Sequence, residues 1–282
     1  MNIQWYPGHM TKTKRMMIES LSLVDIVIEL LDARIPLSSK NPDIDELAKN
    51  KKRIILLNKA DLADSKATEK WRDYFKGCGF NAIAVDSSSG KGFLEINPLI
   101  KELMEEKLSR LREKGRIFAP SRVMVAGIPN VGKSTFINKY TGRKSTKVGD
   151  KPGVTKGKQW VRIKKDIELL DTPGILWPKF EDPSAGIKLA ITGAINDDIL
   201  NITELAAELI ELLVLICPDA IKNRFGVECG GFKEPYDILL KIGEARGFKL
   251  KGGVIDEERT AKILLDEYRG GKLGNITLEL PE

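Results

Sequence analysis

The sequence predicts an α/β fold, a mostly parallel sheet with helices on both faces, followed by a small all-α part. Nearly uninterrupted apolar runs at Asp25-Ile-Val-Ile-Glu-Leu-Leu31, Arg53-Ile-Ile-Leu-Leu57, Ala82-Ile-Ala-Val85 and Arg122-Val-Met-Val-Ala126 read as strands buried on both faces. Amphipathic stretches at 66–77 and 94–114 lie between them and read as helices. From Trp177-Pro178 onward clear strands stop and helical periodicity takes over.

The 282 residues are 42% hydrophobic and 30% charged, the balance of a globular protein with one large domain or two modest ones. A formal charge of +6 mildly favours a polyanionic partner. No apolar run approaches a membrane span, and Met1-Asn-Ile-Gln-Trp5 is too polar for a signal peptide, so a cytoplasmic protein is expected. Cys78, Cys217 and Cys229 are far apart and odd in number, and make neither a metal pattern nor a disulfide framework.

Taken in order, the chain opens with a turn-like Trp5-Tyr-Pro-Gly-His-Met10 and the start of a basic, amphipathic helix. His9 is the only histidine, and its spacing alone reads as structural or surface. Asp32-Ala-Arg34 follows the first strand at its C-terminal end, where open α/β sheets place their sites. The second strand runs directly into Asn58-Lys-Ala-Asp61. This N-K-x-D pattern suits guanine. One Asp61 carboxylate can accept from N1–H and the 2-amino group, whereas adenine has neither donor and would leave the carboxylate unpaired. The Lys59 stem can cover the base, and Asn58 can tie loops together. Helix 66–77 places Trp71, Tyr74 and Phe75 on a packing face. The third strand is followed by Asp86-Ser-Ser-Ser-Gly90, a small polar loop of the kind that meets a guanine base through backbone N–H groups. Helix 94–114 ends in basic residues that either complement its dipole or meet RNA.

The fourth strand leads into Gly127-Ile-Pro-Asn-Val-Gly-Lys-Ser134, the form G-x-x-x-x-G-K-S, and then into a helix beginning at Thr135. Strand, glycine loop and helix together mark a phosphate-binding loop. Its N–H groups converge on phosphate, Lys133 neutralises it, and the Ser134 hydroxyl suits Mg²⁺. A long basic Gly/Pro-rich loop, 142–155, ends in Thr155, whose hydroxyl can complete the Mg²⁺ shell. Segments 158–163 and 167–170 alternate as a β-hairpin that ends in Asp171-Thr-Pro-Gly174. Asp171 suits an acidic group that holds Mg²⁺ through water, and the Gly174 N–H suits a γ-phosphate. Beyond it, 184–195, 203–216, 235–245 and 256–268 read as four helices, and 275–280 as a short strand or extended tail.

These motifs normally run phosphate loop, switch threonine, D-x-x-G, N-K-x-D and base loop. Here Asn58–Asp61 and Asp86–Ser89 come first, which is a circular permutation, plausible because domain termini often lie close together. With Gln4-Trp-Tyr-Pro-Gly-His-Met10, Asp32-Ala-Arg-Ile-Pro36, Asp171-Thr-Pro-Gly-Ile-Leu-Trp-Pro-Lys-Phe180 and Thr192-Gly-Ala194, the sequence resembles the circularly permuted GTPases of the ribosome biogenesis GTPase A (YlqF) type. The resemblance implies a permuted P-loop GTPase domain over 1–177 and a helical rRNA- and ribosome-binding domain over 178–282. It implies a cytoplasmic, Mg²⁺-dependent, monomeric GTPase that binds a late precursor of the large ribosomal subunit and its rRNA, without DNA or membrane, and leaves after hydrolysis. The expected GTP/GDP contacts are Asn58, Lys59, Ala60, Asp61, Asp86, Ser87, Asn130, Val131, Gly132, Lys133, Ser134, Thr135 and Gly174. Ser134, Thr155 and Asp171 are the expected Mg²⁺ group.

Ile175 stands where many GTPases carry a glutamine that orients water. Slow intrinsic hydrolysis is therefore expected, accelerated by the ribosomal particle, by K⁺ at Asn130, or by His9, which the resemblance makes a catalytic candidate. The alternative is a GTP-gated RNA-binding chaperone in which hydrolysis only times release. A GTP-binding metabolic enzyme ranks last, for want of a second-substrate constellation.

Overall fold

The computed structural model describes residues 15, 17–115, 120–142, 159–163, 167–171 and 182–281. Its strands are β1 (Ile26–Asp32), β2 (Lys52–Asn58), β3 (Asn81–Ala84), β4 (Ser121–Gly127), β5 (Gln159–Ile163) and β6 (Ile167–Asp171). They form one sheet in the order β3-β2-β1-β4-β6-β5. Every neighbouring pair is parallel except the antiparallel β5–β6 hairpin. β1 is buried at every position, as a strand covered on both faces must be.

Helix α1 (17–21) precedes β1, and α2 (Pro42–Leu47), α3 (Ser65–Gly77), α4 (Ile96–Glu113) and α5 (Lys133–Thr141) lie between strands. Their starts are written locally. Asn41 caps α2, with Pro42 in the first turn, and Asp64 caps α3 by accepting from the Ala67 N–H at 2.7 Å. The packing face of α3 holds as expected for Trp71 and Phe75, which are buried, while Tyr74 lies at its exposed rim.

After the sheet come α6 (Pro183–Ile191), α7 (Ile202–Ile216), α8 (Asp219–Phe225), α9 (Pro235–Ala245) and α10 (Glu257–Arg269). The described part thus has five α-helices where four are expected. α8 has only seven residues and starts on Pro218, so its sequence reads as a turn. α6 stops at Ile191, not Ile195. Gly193 is left-handed at φ +79°, and the Thr192 hydroxyl donates back to the Lys188 carbonyl at 3.0 Å. Residues 275–280 form no strand, yet Ile276, Thr277 and Leu278 are buried. Many buried apolar residues of the sheet join those of the later helices in one cluster, from Val123 and Leu170 to Leu209 and Leu264, while Leu31, Ile55 and Leu57 form a second with Trp71 and Phe75 of α3.

Candidate functional site

Strand order reverses between β1 and β4. The first half of the chain winds outward through β2 to β3, and the second half winds the other way through β6 to β5. A crevice opens at the C-terminal ends of the strands at such a point, and it is the expected ligand position in an open α/β sheet. Asp32, Asn58 and Gly127 all end strands there.

The phosphate loop bridges β4 and α5. Gly127 has φ +148°, and a Cβ there would lie 2.6 Å from the Leu30 carbonyl oxygen of the neighbouring strand. Gly132 has φ +100°, and a Cβ there would lie 2.5 Å from Asn58 Nδ2. Only glycine meets both the backbone and the space requirement. Lys133 is buried at the start of α5, and its Nζ donates to the carbonyls of Gly127 (3.1 Å) and Ile128 (2.7 Å). The ammonium is thereby held against the loop whose N–H groups and helix terminus attract an anion. Ser134 and Thr135 follow on the first turn, half-buried, and Val131 is buried beneath. Asn130 is left-handed at φ +55°, and its Nδ2 donates to the Gly193 carbonyl at 2.8 Å, in the turn after α6.

Asn58 brings the two halves together. Its Nδ2 donates to the Val131 carbonyl at 2.6 Å, and its Oδ1 accepts from the Ser87 N–H (3.1 Å) and hydroxyl (2.7 Å). The phosphate loop, the Asn58–Asp61 segment and the Asp86–Ser89 loop thus share one side chain. The Ala60 N–H donates to the Val85 carbonyl at 3.1 Å, which fixes the segment against the start of the Asp86 loop. Asp86 turns onto its own loop, accepting from the Ser88 N–H at 2.7 Å and the Ser89 N–H at 3.3 Å. Asp61 is exposed beside this frame. Partial burial, with repulsion from Asp86, raises its carboxyl pKa.

The Asp171 backbone pairs with Val125 of β4 and Gln159 of β5, one strand away from the phosphate loop. The Ser134 hydroxyl, Thr155 hydroxyl and Asp171 carboxylate are hard oxygen donors of the kind Mg²⁺ takes. Thr155, Gly174, His9 and the Asp171 side chain lie outside the described residues.

Sequence reasoning gave no role to Asp32, Arg34 or the tail, which form a second polar cluster under Lys59. Asp32 and Arg34 are 2% and 1% exposed. The Asp32 carboxylate accepts from Arg34 Nε (2.9 Å), Arg34 Nη2 (2.8 Å) and Lys59 Nζ (2.9 Å). Burial pushes its carboxyl upward, but Arg34 and Lys59 outweigh that and hold it well below the usual carboxylate range. Glu279 accepts from the N–H groups of Leu37 (2.5 Å) and Ser38 (2.9 Å) and from Lys188 Nζ (3.1 Å). The one available signal was the position of Asp32-Ala-Arg34 at the end of a central strand.

A family described as "50S ribosome-binding GTPase" matches residues 122–224. The ribosome biogenesis GTPase A of Priestia megaterium is 48% identical over 286 aligned residues, covering 100% of this chain and 98% of that one. The chain belongs to the ribosome biogenesis GTPase A family. The family member from Thermotoga maritima is 33% identical over 99% of this chain and 95% of its own. Two solved structures of that organism's YlqF align with a TM-score of 0.67. The GDP-bound one is 29% identical and covers 94% of this chain and 98% of its own; the GNP-bound one is 30% identical and covers 96% and 99%. As a ribosome biogenesis GTPase A family member the chain is a GTP hydrolase with a circularly permuted GTPase fold. The matched span 122–224 begins at β4 and leaves Asn58–Asp61 outside.

Proposed function

We propose that this GTPase assists late maturation of the large (50S) ribosomal subunit. It binds precursor particles and their rRNA in its GTP form and leaves after hydrolysis. One observation carries the reading: similarity to ribosome biogenesis GTPases runs the whole chain, helical part included, and is not confined to the nucleotide site. In this reading residues 1–177 are the GTPase domain and 178–282 the domain that meets rRNA. The protein works in the cytoplasm as a monomer.

At the site, Asp61 accepts from guanine N1–H and the 2-amino group, the Lys59 stem covers the base, and Ser87 with Asp86 shapes the loop at its edge. The loop from Asn130 to Thr135 and the Lys133 ammonium bind the phosphates. Ser134, Thr155 and Asp171 hold Mg²⁺, which neutralises charge on the β- and γ-phosphates. The Gly174 N–H distinguishes triphosphate from diphosphate, and Asn130 is the candidate K⁺ ligand. Ile175 offers water no hydrogen bond, so intrinsic turnover is slow. His9 completes the reaction when the particle seats the N-terminal segment.

The test is GTP turnover with and without large-subunit particles, in Na⁺ and in K⁺. Particle stimulation is expected; turnover and particle affinity both indifferent to one another's ligand would refute the reading. Equal particle-stimulated turnover by wild type and His9→Ala would remove His9 from it.

A further inference from the structure

The base-reading segment is held from below by a buried charge cluster that the nucleotide site does not itself require. Lys59 has a left-handed backbone, φ +60°, a conformation that disfavours a side-chain-bearing residue. Its half-buried ammonium is anchored on Asp32 Oδ2 at 2.9 Å. The buried Asp32–Arg34 pair is already charge-balanced and joined by two parallel hydrogen bonds, so Lys59 brings a second cation to a single carboxylate. This second cation comes from Asn58–Asp61. It fixes the Lys59 stem at both ends, through the backbone and through the ammonium.

Arg34 is in turn fixed by the far end of the chain. Its Nη1 donates to the carbonyl of Arg269, the last residue of α10, at 3.3 Å, and its guanidinium carbon lies 5.5 Å from the Tyr268 ring centroid. The Leu278 N–H donates to the Arg34 carbonyl at 2.8 Å, and the Ile276 N–H to the Leu62 carbonyl just past Asp61 at 3.2 Å. Glu279 secures the loop that follows, at Leu37 and Ser38. Arg34 and Leu62, which flank the base segment through Asp32 and along the chain, are therefore held by residues more than 200 positions away.

We propose that Asp32 is a positioning residue for guanine binding, aligning Lys59, and that α10 and the 276–279 tail hold Asp32 and Arg34 in place, so that the helical end of the chain sets guanine-nucleotide affinity. This rests on the reading of Asn58–Asp61 as the base site. A partner that pulls on the helical end loosens the nucleotide at its base, independently of the γ-phosphate.

The test is calorimetric titration of the full chain with GDP and with a non-hydrolysable GTP analogue. The variants are Lys59→Ala, Asp32→Asn, Arg34→Lys, Glu279→Ala and each of the last three combined with Lys59→Ala. Arg34→Lys keeps the charge beside Asp32 but loses the fork and the reach to Arg269, so it serves if Asp32→Asn does not fold. Each of the three is expected to weaken GDP and the GTP analogue equally, roughly tenfold for Arg34→Lys. Combined with Lys59→Ala, each is expected to add little, because both changes remove one interaction. Wild-type affinity in the folded Arg34→Lys and Glu279→Ala variants, or losses that multiply with Lys59→Ala, would overturn the proposal. Unchanged binding by Lys59→Ala alone would instead overturn the base-site reading, and the positioning role with it.

Discussion

Asn58 and Val131 stand 73 residues apart and are joined by a 2.6 Å hydrogen bond from the Asn58 amide to the Val131 carbonyl. The Asn58 amide oxygen accepts from the Ser87 N–H and hydroxyl, so one side chain spans the point where the permuted halves meet. Asn58→Ala leaves the Val131 carbonyl and the Ser87 N–H without that partner in a buried setting. A loss of about 1–3 kcal/mol of stability is expected, with GDP affinity reduced about tenfold or more. Denaturant unfolding and calorimetry measure the two, and unchanged GDP affinity would show that the bridge is only structural.

Two glycines separate backbone strain from contact. Gly226 has φ +72° with open space around it, whereas Gly132 has φ +100° and faces Asn58. Gly226→Ala should lower stability by about 1–2 kcal/mol and leave nucleotide affinity as it was. Gly132→Ala should carry a similar strain and also push the Asn58 amide from Val131, with loss of GTP binding. Equal nucleotide affinity in both variants would contradict the geometry.

With Asp61 assigned to the guanine base as proposed, its raised carboxyl pKa is expected to give guanine-nucleotide binding a pH dependence. Only the ionised carboxylate accepts both base donors, so bound nucleotide favours ionisation and binding releases a proton near that pKa. Affinity should be flat at neutral pH and fall as the pH drops through the raised value. The stability of the nucleotide-free protein runs the other way. With the folded pKa above the unfolded one, the folded state holds more protons, and this group's contribution improves as pH falls. Asp86→Asn removes the adjacent like charge and should move the affinity midpoint to lower pH. A midpoint that does not move would rule out Asp86 as a contributor.

Arg269 anchors the end of α10 to the end of α6. Its guanidinium donates to the carbonyls of Ile191 (2.9 Å) and Ala190 (2.9 Å) and to both Asp197 oxygens (2.7 and 2.8 Å). Arg269→Ala should lower stability by about 1–3 kcal/mol, because two helix-end carbonyls lose their donor. Asp197→Asn should cost less than about 1 kcal/mol, since that pair is partly exposed. Urea unfolding that ranks the two the other way would place the weight on the ion pair.

The elements were largely legible in the sequence. All six strands lie within a residue or two of their expected runs, because apolar runs and alternation are local signals. α8 was missed because seven residues opening on a proline carry too little periodicity. The tail is extended and not a strand because its Ile276 and Leu278 N–H groups donate to the Leu62 and Arg34 carbonyls and not to a sheet. Asn58 as a tie between loops could be anticipated from its motif; that Val131 and Ser87 are what it ties could not. The cluster of Asp32, Arg34 and Lys59 had no signal beyond its place at a strand end.

By itself the sequence determined the glycine positions at 127 and 132, the apolar periods that mark the strands and the longer helices, the permuted motif order and the residue types that suit guanine, phosphate and Mg²⁺. These depend on neighbours within a few positions, where backbone sterics and side-chain reach leave few alternatives. Tertiary structure alone decided that Asn58 meets the phosphate loop, that Asn130 meets Gly193, and that the Leu278 N–H and the Arg269 carbonyl lie against Arg34. Such contacts close chain loops of 63 to 235 residues and more, and packing of the whole molecule, not local preference, brings their ends together.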